Sequence, residues 1–273
     1  MTTTEDPLLA AIAGGVRLIE LGQPFFTGMP CSANHPGFRM TLNRRHGDMR
    51  RADGGSAANE IIVTGGHVGT HIDALSHVSH RGELHGGIDA AEAQQGGAFS
   101  AHGAENLPGL LRRGVLLDVA AVHDVPTLPA GYGVTAEDLA TAARRADVEP
   151  AGGDVALIRT GWARNFTDQT AYLGKETGVP GATEQAAQWL AARGIVATGA
   201  DTTAYEQIPA GAGHSLLPVH RVLLVESGIF IMEHLNLESL AEQGIAEFAF
   251  LLAPLRITGG TGSPIRPLAA VSA

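Results

Sequence analysis

Short apolar runs, separated by glycine- and proline-rich segments, are the main pattern along the chain. Runs of four to eight branched aliphatic residues between turn residues are typical of buried strands, because they are too short for buried helices. Five runs fit this description and lie at 16–21, 115–119, 155–160, 195–198 and 248–252. We therefore expect several short buried strands.

Helical patterns occupy only three segments. The sequence Thr-Ala-Glu-Asp beginning at Thr135 is a capping-box pattern, which predicts a helix that ends near residue 145. Residues 183–193 predict a second helix, with Gly194 as its left-handed stop, and residues 237–243 predict a third. Strands mixed with helices predict an α/β fold.

The length favours one domain. A chain of 273 residues can bury a substantial core, and no linker, repeat or low-complexity block divides it. We expect a single domain over residues 16–268, with an N-terminal tail at 1–15 and a C-terminal tail at 269–273.

Composition excludes several classes of protein. The chain has 18 basic and 28 acidic residues, a net charge of −10, which is unlike a nucleic-acid-binding surface and suits a small-molecule substrate. Cys31 is the only cysteine, so no intrachain disulfide forms and a reducing, cytoplasmic location is expected. Residues 1–6 do not resemble a signal peptide, and no apolar run approaches the ~20 residues that span a bilayer.

The segment between Gly66 and His80 holds the strongest chemical signal. His67, His71, Asp73 and His77 stand at offsets of zero, four, six and ten, and therefore share one parity. On a strand this parity would place all four side chains on one face. Imidazole and carboxylate ligands together suit Zn²⁺, Mn²⁺ or Fe²⁺. The spacing predicts a metal site.

A helix explains this segment less well than a strand. Asp73 would lie about 240° around a helix from His67, and the glycines and β-branched residues here disfavour a helix. A straight strand, however, would hold the Cα atoms of His67 and His71 about 13 Å apart. We therefore expect a bend or bulge at Gly69.

The same segment resembles the signature of the cyclase family of metal-dependent hydrolases, which includes bacterial kynurenine formamidase and isatin hydrolase. The similarity continues through the segments 153–162, 199–203, 218–224, 231–237 and 262–267, and so covers roughly residues 16–268. The resemblance implies a swivelling β/β/α fold with a mixed sheet and flanking helices. It also implies a homodimer or homotetramer.

The resemblance also implies roles for individual residues. His67, His71 and Asp73 correspond to the ligands of one metal ion, and Asp73 with His220 and Glu233 corresponds to the ligands of a second. His77 matches the general acid/base. One or two divalent ions per chain, Zn²⁺ or Mn²⁺, are thus expected as cofactors.

Such a site suits hydrolysis of an amide, formamide or lactam, because a bound metal acidifies water and polarises a carbonyl. The expected activity resembles that of kynurenine formamidase. Two alternatives stay open. The metal could serve as the Lewis acid of a cyclase or dehydratase acting on polyketides, or the protein could bind metal without catalysis. Neither nucleic acid nor a membrane is an expected partner.

Overall fold

The computed structural model describes residues 6–273, which form short strands and short helices. The strands are β1 (Val16–Glu20), β2 (Arg39–Arg44), β3 (Asn59–Val63), β4 (His71–Asp73), β5 (Glu83–Leu84), β6 (Ile88–Asp89), β7 (Gln94–Gln95), β8 (Ala98–Phe99), β9 (Leu110–Asp118), β10 (Gly133–Val134), β11 (Val155–Arg159), β12 (Gly181–Ala182), β13 (Ala197–Ala200), β14 (Phe230–Glu233), β15 (Glu247–Leu252), β16 (Gly262–Pro264) and β17 (Leu268–Ser272). The helices are α1 (Pro7–Ala13), α2 (Ala90–Ala93), α3 (Val119–Val122), α4 (Ala136–Ala146), α5 (Gln169–Leu173), α6 (Glu184–Ala191), α7 (Pro218–His220) and α8 (Glu238–Glu242). A π-helical turn, Arg221–Glu226, continues α7.

A nine-stranded mixed sheet organises these elements, in the order β1-β17-β15-β9-β11-β13-β14-β4-β16. The four central strands, β9, β11, β13 and β14, run parallel, as expected where helices connect successive strands. Beyond β14, the strands β4 and β16 are antiparallel. β4, which carries His71 and Asp73 of the predicted metal site, therefore lies next to the edge strand β16 of the main sheet.

All five predicted strands are present, with three corrections. β9 starts five residues earlier than predicted, and β13 lies two residues later. β1 is not buried, because it forms the edge of the sheet, and Val16 and Leu18 are 43% and 54% exposed. An apolar run does not distinguish a central strand from an edge strand that leaves one face uncovered.

The three predicted helices are confirmed. α4 begins with the reciprocal hydrogen bonds of a capping box between Thr135 and Asp138. α6 is capped by Thr183, and Gly194 has a φ of +68°, as a left-handed stop requires. α8 fills most of the third predicted segment.

The core lies on both faces of the sheet. Along β11, Ala156 and Ile158 pack towards α4 and α6, whereas Val155 and Leu157 pack on the opposite face with residues such as Phe250. Because side chains alternate along a strand, one fully buried strand serves both cores.

Regular structure extends into both predicted tails. Asp6 caps α1, with Pro7 at its first turn, and β17 pairs with β1 and β15 inside the main sheet. The alanines of β17 concealed this strand, because alanine has little strand preference. The remaining expectation, that residues 1–6 form no signal peptide, lies outside the described residues except for Asp6. Within residues 6–273, no helix is both long and apolar enough to cross a membrane.

Candidate metal centre

The motif segment supplies its side chains from a three-residue strand and the turns that flank it. His71 and Asp73 lie on β4, two residues apart and therefore on one face. His67 and His77 lie in the turns before and after β4, so the expectation that one strand carries all four residues is wrong. The turns fold His67 and His77 back towards the strand.

The predicted bend at Gly69 is confirmed. Gly69 has a φ of +63°, which L-amino acids with side chains rarely adopt. A Cβ atom there would lie 2.5 Å from Cε of Met29 and 2.8 Å from the ring of Phe25. Only glycine combines this turn with such close packing. The bend brings the rings of His67 and His71 to 5.1 Å between centroids.

Two further side chains come from distant parts of the chain. Glu233 ends β14, where the antiparallel register with β4 places it directly opposite His71. His220 is the last residue of α7 and is buried. The structure therefore brings His220 and Glu233 close to Asp73, the grouping that the resemblance implies, and also close to His71.

These four residues form what we call the ligand ring, in which imidazoles and carboxylates alternate. Nε2 of His71 lies 3.5 Å from Asp73 Oδ1 and 3.6 Å from Glu233 Oε2. Nε2 of His220 lies 3.7 Å from Asp73 Oδ2 and 3.3 Å from Glu233 Oε1. Most of these separations exceed hydrogen-bonding range.

Ligand atoms of Asp73, His220 and Glu233 all lie within 4.8 Å of one another, whereas His71 faces the other oxygen of each carboxylate. The spacing between neighbours in the ligand ring fits a cation better than direct pairing. Ligands at ~2.0–2.2 Å from a tetrahedral ion lie about 3.3–3.6 Å apart, close to the observed separations. Within residues 6–273, the buried Oδ2 atom of Asp73 has no hydrogen-bond partner. A buried carboxylate oxygen without a partner is costly, and a cation would satisfy it.

His67 occupies a different position from the ligand ring. Its Nδ1 lies 2.8 Å from Asp73 Oδ1, and its Nε2 lies 2.9 Å from Oγ1 of Thr261. Both nitrogens are thereby used, and His67 orients the Asp73 carboxylate. His77 stacks on His67, with ring centroids 3.8 Å apart, and its ring is 6.2 Å from that of His220.

The imidazoles of the ligand ring are oriented through their second nitrogen atoms. Nδ1 of His71 lies 2.7 Å from the carbonyl oxygen of Gly69, which turns Nε2 towards the ring. Nδ1 of His220 pairs with the buried carboxylate of Glu206, which also accepts the backbone N–H groups of Val219 and His220. Carboxylate or carbonyl partners of this kind are typical of metal-binding histidines.

The charges of the site also favour a cation. Burial alone would lower the pKa of His220, but the hydrogen bond to Glu206 and the nearby Glu233 carboxylate outweigh it and raise the pKa to about 10. Burial lowers the pKa of His77 to about 3, although Asp73 favours its charged form. A proton on His220 thus partly offsets the buried carboxylates, and a divalent cation would offset them more fully.

A small cavity opens onto the ligand ring. Its volume is about 50 Å³, well below the ~300–1,000 Å³ of typical ligand pockets. Beyond the ligand ring, the lining residues are Ser32, His35, His67, His77, Thr203, Ala204, His214, Leu217 and His234.

Sequence reasoning did not identify three residues near this cavity: Glu206, His35 and His234. Glu206 lies in a loop without a recognisable motif. His35 precedes a proline in an irregular segment, although its ring is 5.6 Å from that of His67. His234 directly follows Glu233, and this adjacency was the only available signal.

The chain is similar in sequence to known proteins of one family. The family model "Cyclase" matches residues 19–207. Isatin hydrolase from Roseibium aggregatum is 30% identical over 227 residues, which cover 81% of this chain and 77% of the relative. Cyclase-like protein 3 from Oryza sativa subsp. japonica is 28% identical over 257 residues, 93% of this chain and 79% of the relative.

Solved structures show the same fold. A crystal structure described as a novel cyclase superposes with a TM-score of 0.84 at 26% identity, covering 98% of this chain and 93% of that one. An isatin hydrolase bound to the product analogue thioisatinate superposes with a TM-score of 0.74 at 25% identity, covering both chains fully. The sequence match and the shared architecture confirm the resemblance: the chain belongs to the cyclase family.

Proposed function

We propose that this protein is a metal-dependent hydrolase that cleaves the C–N bond of an amide, formamide or lactam with water. The ligand ring carries this proposal, because Asp73, His220 and Glu233 bring ligand atoms within 4.8 Å of one another, and His71 lies 3.5 and 3.6 Å from the same two carboxylates. The similarity to isatin hydrolase, a C–N hydrolase by name, supports the same reaction class.

We assign the ligand ring to a divalent cation, Zn²⁺ or Mn²⁺. When bound, the cation supplies an acidified water as nucleophile and polarises the scissile carbonyl. His67 holds the Asp73 carboxylate in place through its Nδ1 atom. The resemblance implies an ion bound by His67, His71 and Asp73. To bind such an ion, His67 would have to give up a hydrogen bond to Asp73 or to Thr261 and use the freed nitrogen as a metal ligand.

We assign proton transfer to His77. Its ring lines the cavity next to the ligand ring, and its nitrogens make no hydrogen bond to other described residues. An imidazole with a free nitrogen can take a proton from the attacking water and return it to the departing nitrogen. The stacking contact with His67 holds the ring while the proton moves.

The cavity supports an uncharged substrate. Its described lining residues are mainly histidines, hydroxyl-bearing residues and small apolar residues, with neither lysine nor arginine among them. An anionic substrate would find no lysine or arginine there to bind its carboxylate. Isatin, a neutral lactam, is therefore the first substrate to test. N-formylkynurenine, which carries both a carboxylate and an ammonium group, is the second because the formamidase resemblance points to it.

The test is turnover of these two compounds by protein loaded with Mn²⁺ or Zn²⁺. We expect hydrolysis of at least one, and a loss of about 100-fold or more in kcat for His77→Asn. His80→Asn is the matched control, since His80 lies three residues away and outside the cavity lining. Absence of hydrolysis with both metals and both compounds would count against the proposal, and equal loss in the two variants would remove His77 from its role.

We also propose that the protein forms a homodimer through the β2–β3 hairpin. Apolar side chains on both faces of this hairpin are about half exposed, including Met40, Leu42, Ile61, Ile62 and Val63. An isolated two-stranded hairpin is marginally stable, so it needs a partner surface. Residues 39–63 carry five arginines and three acidic residues, a charge of +2, which leaves −12 for the rest of the chain.

This charge difference makes the body of a second copy the favoured partner of the hairpin. Light scattering should show a dimer for the wild type and a shift to monomer for Ile62→Lys, which places a charge on the exposed face. Lys175→Ala serves as an unrelated surface control. A wild type that stays monomeric at high concentration would contradict this part of the proposal.

A further inference from the structure

His234 lies beside the ligand ring in a conformation that histidine rarely adopts. Its φ is +55°, in the left-handed region, which costs roughly 1–2 kcal/mol for a residue with a side chain. Two hydrogen bonds hold it there: its N–H donates to the carbonyl of Thr202 at 2.9 Å, and its carbonyl accepts from Oγ1 of Thr70 at 2.7 Å. The backbone thus directs this ring towards the site at an energetic cost, a pattern typical of functional positions.

The ring of His234 is buried without a polar partner. It is only 4% exposed, and it packs between the rings of Tyr172 and His71, at centroid distances of 5.5 and 5.7 Å. Within residues 6–273, its buried Nδ1 atom accepts and donates no hydrogen bond. The two imidazoles of the ligand ring differ from His234 in this respect. The Nδ1 atom of His71 is hydrogen-bonded to the carbonyl of Gly69, and that of His220 to the carboxylate of Glu206.

One ring nitrogen of His234 lies near two residues of the ligand ring, His71 and Glu233. Ligand atoms of His71, Glu233 and His234 all lie within 4.8 Å of one another. Two ligands on opposite sides of one ion, each bonded at ~2.2 Å, lie about 4.4 Å apart. A side-chain shift of a few tenths of an ångström would therefore bring His234 to coordinating distance of an ion bound by His71 and Glu233.

We propose that His234 is a further ligand of this cation, which raises the set to three imidazoles and two carboxylates. The inference rests on the proposed function, since the cation is the one assigned there to the ligand ring. His234 and His77 then have different tasks, because His234 adjoins His71 and Glu233 whereas His77 adjoins His67 and Asp73.

A fifth protein ligand has a consequence for metal choice. Zn²⁺ sites in proteins are usually tetrahedral, whereas Mn²⁺ and Fe²⁺ accept higher coordination numbers. With His234 bound, the site suits Mn²⁺ or Fe²⁺. Without His234, the four residues of the ligand ring suit Zn²⁺.

The test is Co²⁺ binding to His234→Asn, followed by visible absorption. Asparagine tolerates a positive φ, so this variant keeps the backbone and loses only the imidazole. Four-coordinate Co²⁺ absorbs strongly in the visible range, and ions with five or six ligands absorb weakly. We expect weak bands in the wild type, and stronger bands with about 10-fold or more weaker binding in the variant.

The matched control is His102→Asn. His102 also has a left-handed φ, of +57°, but it bonds to the carbonyl of His85, outside the cavity lining. This control should leave the Co²⁺ spectrum and affinity unchanged. Identical spectra and affinities for the wild type and His234→Asn would overturn the proposal.

Two results need a separate interpretation: a His234→Asn variant that does not fold, and a wild type that binds no metal. If circular dichroism shows that His234→Asn is unfolded, His234→Gly, which also tolerates the positive φ, decides by the same spectral criterion. If the wild type binds neither Co²⁺ nor Mn²⁺, the ligand ring is not a metal site, and the proposed function fails together with this inference. Metal binding with an unchanged spectrum in the variant removes only the role of His234.

Discussion

The two sides of the candidate metal centre are built in different ways. The motif side, His67, His71, Asp73 and His77, comes from eleven consecutive residues, and a backbone carbonyl orients its histidine ligand. The distal side, Glu206, His220, Glu233 and His234, comes from three separate segments, and a buried carboxylate orients its histidine ligand. The motif side thus depends on local backbone shape, and the distal side depends on charge pairing across the fold.

Asp73 joins the two sides, so its substitution should have the largest effect. Asp73→Asn leaves the shape nearly unchanged but removes the charge that faces both His71 and His220. We expect cation affinity to fall at least ~100-fold. Removal of a group that only hydrogen-bonds to a metal ligand typically costs ~10–100-fold in affinity, and Asp73 is itself a proposed ligand. Hydrolysis should also be lost. Competition with a chelator measures the affinity. Asp124→Asn, at an exposed position, is the control, and a loss below about threefold would contradict the role of Asp73.

Substitution of Gly69 tests the backbone dependence of the motif side. Gly69→Ala combines a left-handed φ with a contact of 2.5 Å to Met29, so we expect a loss of about 2–5 kcal/mol in the free energy of unfolding. Gly82→Ala has a similar φ of +83° but open space around it, and it should lose only about 1–2 kcal/mol. Urea unfolding in the presence of a chelator compares them without a contribution from metal. Equal losses would show that packing at the bend is unimportant.

Cation binding should stabilise both sides together. At a free cation concentration of 100 times Kd, the free energy of unfolding should rise by about 2.7 kcal/mol. For a chain of this length, that corresponds to an increase in Tm of roughly 5–10 °C. Thermal unfolding with and without Mn²⁺ measures this change, and Asp73→Asn should abolish it. A Tm independent of the cation in the wild type would contradict the metal assignment.

Glu206 tests the charge pairing of the distal side. Glu206→Gln keeps an acceptor for the Val219 N–H but weakens the charged pair with His220. We expect cation affinity to fall about 10–100-fold, as is common when the outer partner of a metal-binding histidine is removed. Glu226→Gln, at an exposed position near the same turn, should have no effect. An unchanged affinity in Glu206→Gln would show that His220 needs no carboxylate partner.

The sequence predicted the motif side because its chemistry is contiguous. Four potential ligands in eleven residues are recognisable without coordinates, and the bend at Gly69 followed from the reach of an extended chain. The prediction that one strand face carries all four residues was wrong, because β4 has only three residues and His67 and His77 lie in the turns on either side of it. Parity describes a straight strand and does not describe a turn.

The distal side was predictable only through family resemblance, and only in part. Nothing local distinguishes Glu206 from other acidic residues, since its role depends on the approach of α7 from a later part of the chain. His234 required knowledge of the register between β14 and β4 and of a positive φ that its neighbours do not suggest. Long-range register and buried charge pairing are properties of the packed fold, and hydrophobic pattern alone does not contain them.

The most direct test of metal-dependent hydrolysis is the incorporation of ¹⁸O from labelled water into the product. The protein would be loaded with Mn²⁺ or Zn²⁺ and incubated with isatin or N-formylkynurenine, and compared with the same protein after chelation. We predict that one solvent oxygen enters the product carboxylate, that chelation stops the reaction and that added cation restores it. A product formed without solvent oxygen, or turnover that survives removal of the metal, would contradict the hydrolase proposed here.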